Sequence, residues 1–96
     1  MAHWTFLSNH AHVLLLLWED PDLRVRELAE RVGITERAVQ RITHDLIEDG
    51  YLEVTKDGRR NHYVVRDDLP LRHPIEANAK VSCLIDILKA TKRESD

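Results

Sequence analysis

Ninety-six residues make one domain with a modest core, and two chains sharing an apolar face would ease the stability limit this size imposes. The net charge of −3 argues against a histone-like binder held by bulk charge, but not against one that reads bases through a local basic patch. A single cysteine, Cys83, excludes an intrachain disulfide, and the apolar run Val13–Trp18 is too short to span a membrane or form a signal core, so a cytoplasmic protein is the default expectation.

The leader Met1–Leu7 carries Trp4, Phe6 and Leu7. So many large apolar groups expect a surface to pack on, either the chain's own core or a second copy. Ser8 or Asn9 can cap a helix running to about Trp18. Ala11, Leu14, Leu15 and Trp18 form one face of it, yet Val13, Leu16 and Leu17 are apolar too. A helix apolar nearly all round is buried nearly all round, which makes it the central helix or part of a dimer interface. His10 and His12 near its start read as ordinary surface or partly buried histidines rather than metal ligands. Glu19-Asp20-Pro21-Asp22 ends the helix, because proline cannot continue its hydrogen-bond pattern. Leu23-Arg24-Val25 is expected as a very short strand.

Two short amphipathic segments follow. Val25, Leu28, Ala29 and Val32 recur at steps of three and four, and Ala38, Val39, Ile42 and Leu46 do the same. Gly33-Ile34-Thr35 joins them: the glycine supplies a sharp exit and Thr35 can cap the next helix. A joint this short leaves two crossing helices in contact, the helix-turn-helix arrangement. Arg24 stands where a capping Ser or Thr is more usual, so the first of these helices has a weakly specified start. The second is expected to end near Asp49, with Gly50 behind it.

Tyr51–Thr55 and Asn61–Val65 read as the strands of a hairpin turning at Lys56-Asp57-Gly58-Arg59. Leu52, Val54, Tyr63 and Val65 should face the helices. Arg66–Pro74 is a linker, and Pro74 can open a last helix from Ile75 to about Lys89. Its stripe is Ala77, Val81, Leu84 and Leu88, broadened by Ile85, with Cys83 and Ile87 on another flank. The expected fold is mainly α with a small β-hairpin: a three-helix core, a two-stranded wing and an additional C-terminal helix. Residues 1–68 form the body with its leader, and 69–96 the linker and last helix.

The helix from Thr35 to Asp49 presents Glu36, Arg37, Gln40, Arg41 and His44 outward. A helix fits the major groove, where Arg reads guanine and Gln reads adenine with paired hydrogen bonds. Arg37, Gln40 and Arg41 are therefore candidate base readers. Thr35 and the first free N–H groups suit a phosphate, and His44 lies further along. Glu36 either accepts from cytosine or improves the helix start through the dipole. The stretch 51–66 is the only net basic one: Lys56, Arg59, Arg60 and Arg66 outweigh Glu53 and Asp57. Lys56, Arg59, Arg60 and His62 near its tip suit phosphates or a minor groove. No cofactor is implied. The sequence has no glycine-rich phosphate loop, no HExxH pattern and no recognisable nucleophile–histidine–acid arrangement, so an enzyme is not expected. Cys83 reads as a small buried group rather than a metal ligand.

L-A-E-R-V-G-I-T-E-R-A-V-Q-R-I-T-H-D-L-I-E-D-G-Y-L, from Leu28 to Leu52, resembles the winged helix-turn-helix of transcriptional regulators in the broad MarR and ArsR grouping. G-R-R-N-H-Y, Gly58–Tyr63, extends the match. The whole chain, with R-H-P-I-E at Arg72–Glu76, looks most like small single-domain actinobacterial regulators. The resemblance implies a homodimer on a pseudo-palindromic double-stranded DNA operator, with 35–49 as recognition helix and 56–62 as wing. It places dimerisation outside the helix-turn-helix, here on Val81, Leu84, Ile87 and Leu88, with Trp4 and Phe6. The cysteine pair of ArsR-type metal sensors is absent, and the chain is short for a MarR-type effector pocket, so no effector is named. The rival reading is a winged-helix module that binds a protein partner.

Overall fold

The computed structural model describes residues 4–95, with side chains as far as Lys92. Helices α1 (Asn9–Glu19), α2 (Val25–Val32) and α3 (Glu36–Glu48) precede an antiparallel hairpin of β1 (Leu52–Asp57) and β2 (Arg60–Val65), and α4 (Val81–Ser95) closes the chain. The mainly α fold with a small hairpin expected from the sequence is the one observed.

Helix α1 is the axle. Ser8 Oγ accepts from the Ala11 N–H at 3.2 Å and fixes its start. Val13, Leu14, Leu15 and Leu17 are buried, and the helix packs against α2, α3, α4 and β2. Residues apolar on every side of α1 thus find a neighbour on every side. Trp18 is only partly buried, and the Lys89 ammonium of α4 lies 5.7 Å from its ring centroid.

Gly33 carries φ 84° at the end of α2, and both Gly33 N–H and Ile34 N–H donate to Ala29 O. That left-handed step turns the chain into α3, where Thr35 Oγ1 accepts from the Ala38 N–H at 3.0 Å. Arg24 provides no capping side chain to α2. Glu27 compensates by reaching back to accept from the Arg24 N–H at 2.9 Å. Helix α3 closes with Gly50 N–H donating to Ile47 O and Tyr51 N–H to Leu46 O, a paired termination with Gly50 at φ 86°.

Leu52 opposes Val65 and Val54 opposes Tyr63 in the hairpin. Leu52 and Tyr63 enter the core, whereas Val54 remains 38% exposed because the hairpin leaves the helices behind as it extends. The turn is Gly58-Arg59, with Asp57 and Arg60 as the last paired residues. Glycine takes positive φ at the first turn position. The short strand expected at Leu23-Arg24-Val25 does not form. Leu23 is buried instead, and the loop meets the β2 backbone through Tyr63 N–H donating to Pro21 O at 3.0 Å.

The last helix starts at Val81, not Ile75. Leu71 N–H donates to Ala79 O and Val81 N–H to Leu69 O, which folds 70–80 back on itself as a loop. Ile75 is 87% exposed there, so an apolar surface that could hold residues 75–80 in a helix is missing. Val81 and Ile85 join the same core as Leu17, Leu28, Val39 and Leu52, so α4 is packed onto the body it follows, whereas Cys83, expected to be buried, is exposed because it lies off that buried face.

Candidate nucleic-acid interface

Four elements position the charged side chains. Buried Val39, Ile42, Thr43 and Leu46 clamp one face of α3 to the core, which turns Arg37, Gln40, Arg41 and His44 to solvent. Thr43 turns its hydroxyl back to Gln40 O at 3.0 Å. Among the described residues, the side chains of Arg37, Gln40 and Arg41 have no ion pair or hydrogen bond. His44 is different: its Nε2 lies 2.9 Å from Glu48 Oε2, one turn on. Thr35 is occupied as the cap, with its backbone at the mouth of the helix. A groove between the starts of α1 and α3 is lined by Asn9, His10, Thr35, Arg37 and Arg41. No local signal in the chain brings α1 here. Only the burial of α1 against α3 does so.

His10 Nε2 meets Asp45 Oδ2 at 2.9 Å across that junction. The hydrogen bond from His10 holds the Asp45 carboxyl below its ordinary value; desolvation opposes it, and the charges of His10, His44 and Arg41 add to the lowering. Part of the acidity of α3 is thereby engaged by α1.

The wing divides its cations. Arg66 sits at the root, hydrogen-bonded to Glu53 at 2.8 Å and within 3.7 Å of Asp68; these carboxylates raise its pKa further. Lys56, Arg59 and Arg60 at the tip are exposed and unpaired among the described residues. His62 is not part of that free set. Its Nδ1 lies 2.9 Å from Asp22 Oδ1, bracing β2 against the α1–α2 loop. Beside this brace, a groove is lined by Arg24, Arg59, Arg60 and Asn61. In the sequence Arg24 signals only a poor helix cap.

The residues expected at a dimer contact scatter. Trp4 and Phe6 are 68% and 93% exposed and pack edge to face on each other, ring centroids 5.0 Å apart; among the described leader residues, only Leu7 packs on the core. Val81 is 1% exposed and is consumed by the chain's own core, so it has no surface to offer a second copy. Leu84 and Leu88 are half-buried against that core, and Ile87 is 52% exposed.

A helix-turn-helix followed by a hairpin with free cations at its tip defines a winged helix-turn-helix. A family model described as winged helix-turn-helix DNA-binding matches residues 9–53. The chain is similar to the zinc-dependent MarR family transcriptional regulator AdcR, at 30% identity over 70% of this chain and 47% of that one, TM-score 0.54. It is similar to the PcaV transcriptional regulator of Streptomyces coelicolor at 29% identity, over 62% and 46%, TM-score 0.53. Reduced HlyU of Vibrio cholerae shares the fold, at 19% identity over 88% and 77%, TM-score 0.58. The chain spans about half the length of the first two. A search of curated proteins found no match. Fold and matches together describe a winged helix-turn-helix chain that is similar to MarR family regulators, and none of the three similar structures is described as an enzyme. Among the described residues, no helix is long and apolar enough to cross a membrane, and no three His, Cys, Asp or Glu side chains are placed to hold a metal ion.

Proposed function

We propose that this chain is a sequence-specific double-stranded DNA-binding transcriptional regulator that works in the cytoplasm as a homodimer on a pseudo-palindromic operator. One observation carries the reading. Among the described residues, the outward face of α3 keeps Arg37, Gln40 and Arg41 unpaired, while His10, His44, His62, Arg66 and Arg72 are all engaged with carboxylates. Free donors on a helix that a family model associates with DNA binding suit base edges in the major groove. Lys56, Arg59 and Arg60 would lie on backbone or minor groove, and Thr35 near a phosphate. Residues 1–68 would do the binding. Leu84, Ile87 and Leu88 from 69–96, with Trp4 and Phe6, would build the dimer. The narrower kinship with small actinobacterial regulators rests on the overall sequence resemblance, including R-H-P-I-E at Arg72–Glu76.

Selection from a random duplex pool at two salt concentrations tests this. A symmetric pair of half-sites is expected, with centres about one helical turn apart. Recovery of no enriched sequence at either salt would defeat it. A second reading, a protein-interaction module, draws on the exposure of Phe6, Trp4, Ile75 and Ile87. It is favoured if those residues stay open in the assembled dimer.

A further inference from the structure

The groove between the α1–α2 loop and the wing collects three guanidinium-bearing residues, Arg24, Arg59 and Arg60, beside Asn61. None of the three side chains has an ion pair among the described residues. Asp22 also lines the groove, but its Oδ1 is engaged by His62 at 2.9 Å. Glu27 is turned to the Arg24 backbone, where Oε1 accepts from the N–H. The carboxylates nearest in sequence to Arg24 thus each have a partner other than its guanidinium, and Asp57 lies in the ladder opposite Arg60. Like charges gathered around one recess repel each other, and an anion between them relieves that repulsion.

The recess is also held in shape. Tyr63 N–H to Pro21 O and His62 to Asp22 fasten β2 to the loop that carries Arg24. Arg24 and the wing tip therefore keep one spacing. Arg24 has no local task to explain it, since it leaves the start of α2 without a side-chain cap.

We infer that this recess seats one backbone phosphate of the bound duplex, with Arg24 closing on it from the body while Arg59 and Arg60 approach from the wing. This rests on the DNA-binding reading and adds to it a contact from the α2 start, outside both the recognition helix and the hairpin. The contact is to phosphate and so carries no base preference.

Arg24→Ser separates this role from a structural one. Serine supplies the missing capping oxygen while removing the charge, so the melting temperature should rise while DNA affinity falls. With a mixed-sequence duplex between about 50 and 200 mM salt, loss of one phosphate contact should flatten the slope of log K against log salt by about 0.9, an affinity loss of about eightfold near 0.1 M. Arg24→Lys should restore most of it. Arg26→Ala, on a side chain paired with Glu30, should change neither quantity. If the wild-type chain holds no duplex even at the lowest salt, the DNA-binding reading fails and the phosphate seat with it. If the wild type binds and Arg24→Ser leaves slope and affinity unchanged, only the seat fails. A seat that takes inorganic phosphate in an Arg24-dependent way while duplex binding ignores Arg24 would make it a small-anion site instead and also overturn the inference.

Discussion

His10 Nε2 stands 2.9 Å from Asp45 Oδ2, joining the first turn of α1 to the last turn of α3 beside the groove that holds Arg37 and Arg41. A carboxyl whose folded pKa lies below its unfolded value, about 3.9, stabilises the fold above that pH. The contribution is lost as pH falls through the lowered folded value. Asp45 is such a group. His10→Ala should move the Asp45 titration up toward its ordinary position and bring acid unfolding to a higher pH. Carboxyl titration by NMR checks the first, and a circular-dichroism acid melt the second.

Arg41→Ala should weaken specific binding by about 1–3 kcal/mol and relax discrimination at one operator position, as loss of a bidentate base contact does. Arg59→Ala should weaken binding to every duplex alike and reduce the salt dependence. Titrations against the selected operator and a one-base variant, at two salts, separate the two patterns. Unchanged affinity in both variants would remove the interface assigned here.

Dimerisation is best probed at Ile87. Leu84 packs partly on the monomer core, so Leu84→Glu would damage the fold as well as any contact. Ile87 is half exposed and outside that core, so Ile87→Glu should yield a folded monomer. Sedimentation of both proteins checks this; a wild type that remains monomeric at high concentration contradicts the dimer.

Leu17 is 0% exposed at the heart of α1. Leu17→Ala should cost about 2–5 kcal/mol in a urea melt. Gly33→Ala tests a different force. A Cβ there meets no atom within 4 Å, so the expected cost of about 1–2 kcal/mol comes from the left-handed backbone alone.

The helix-turn-helix was legible because its signals are local: apolar steps of three and four, a glycine at the joint, a threonine cap. The hairpin was legible through Asp57-Gly58, with the turn itself one residue further along than the strongest dipeptide suggests. Long-range facts were not legible. Nothing near Arg24 shows that the wing tip will stand beside it, and nothing near His62 foretells Asp22, forty positions away. The stripe Ala77–Leu88 misled at its beginning because periodicity records which residues could share a helical face, not whether a surface exists to receive them. Leu69–Leu71 took up backbone bonds with Ala79 and Val81, and the helix begins only after them. Trp4 and Phe6 show the same gap: large apolar side chains announce a need for cover without naming what supplies it.

The paired termination at Gly50 has one more consequence. Only Asp49, Gly50 and Tyr51 separate α3 from β1, and each donates its N–H or accepts through its carbonyl: Asp49 N–H to Asp45 O, Gly50 N–H to Ile47 O, and Tyr51 O from the Arg66 N–H at 2.9 Å. There is no slack between the helix and the hairpin. They form a caliper of fixed opening, so a duplex gripped by both must bring its grooves to that gauge, and sequences that flex cheaply to it would gain at positions no side chain touches.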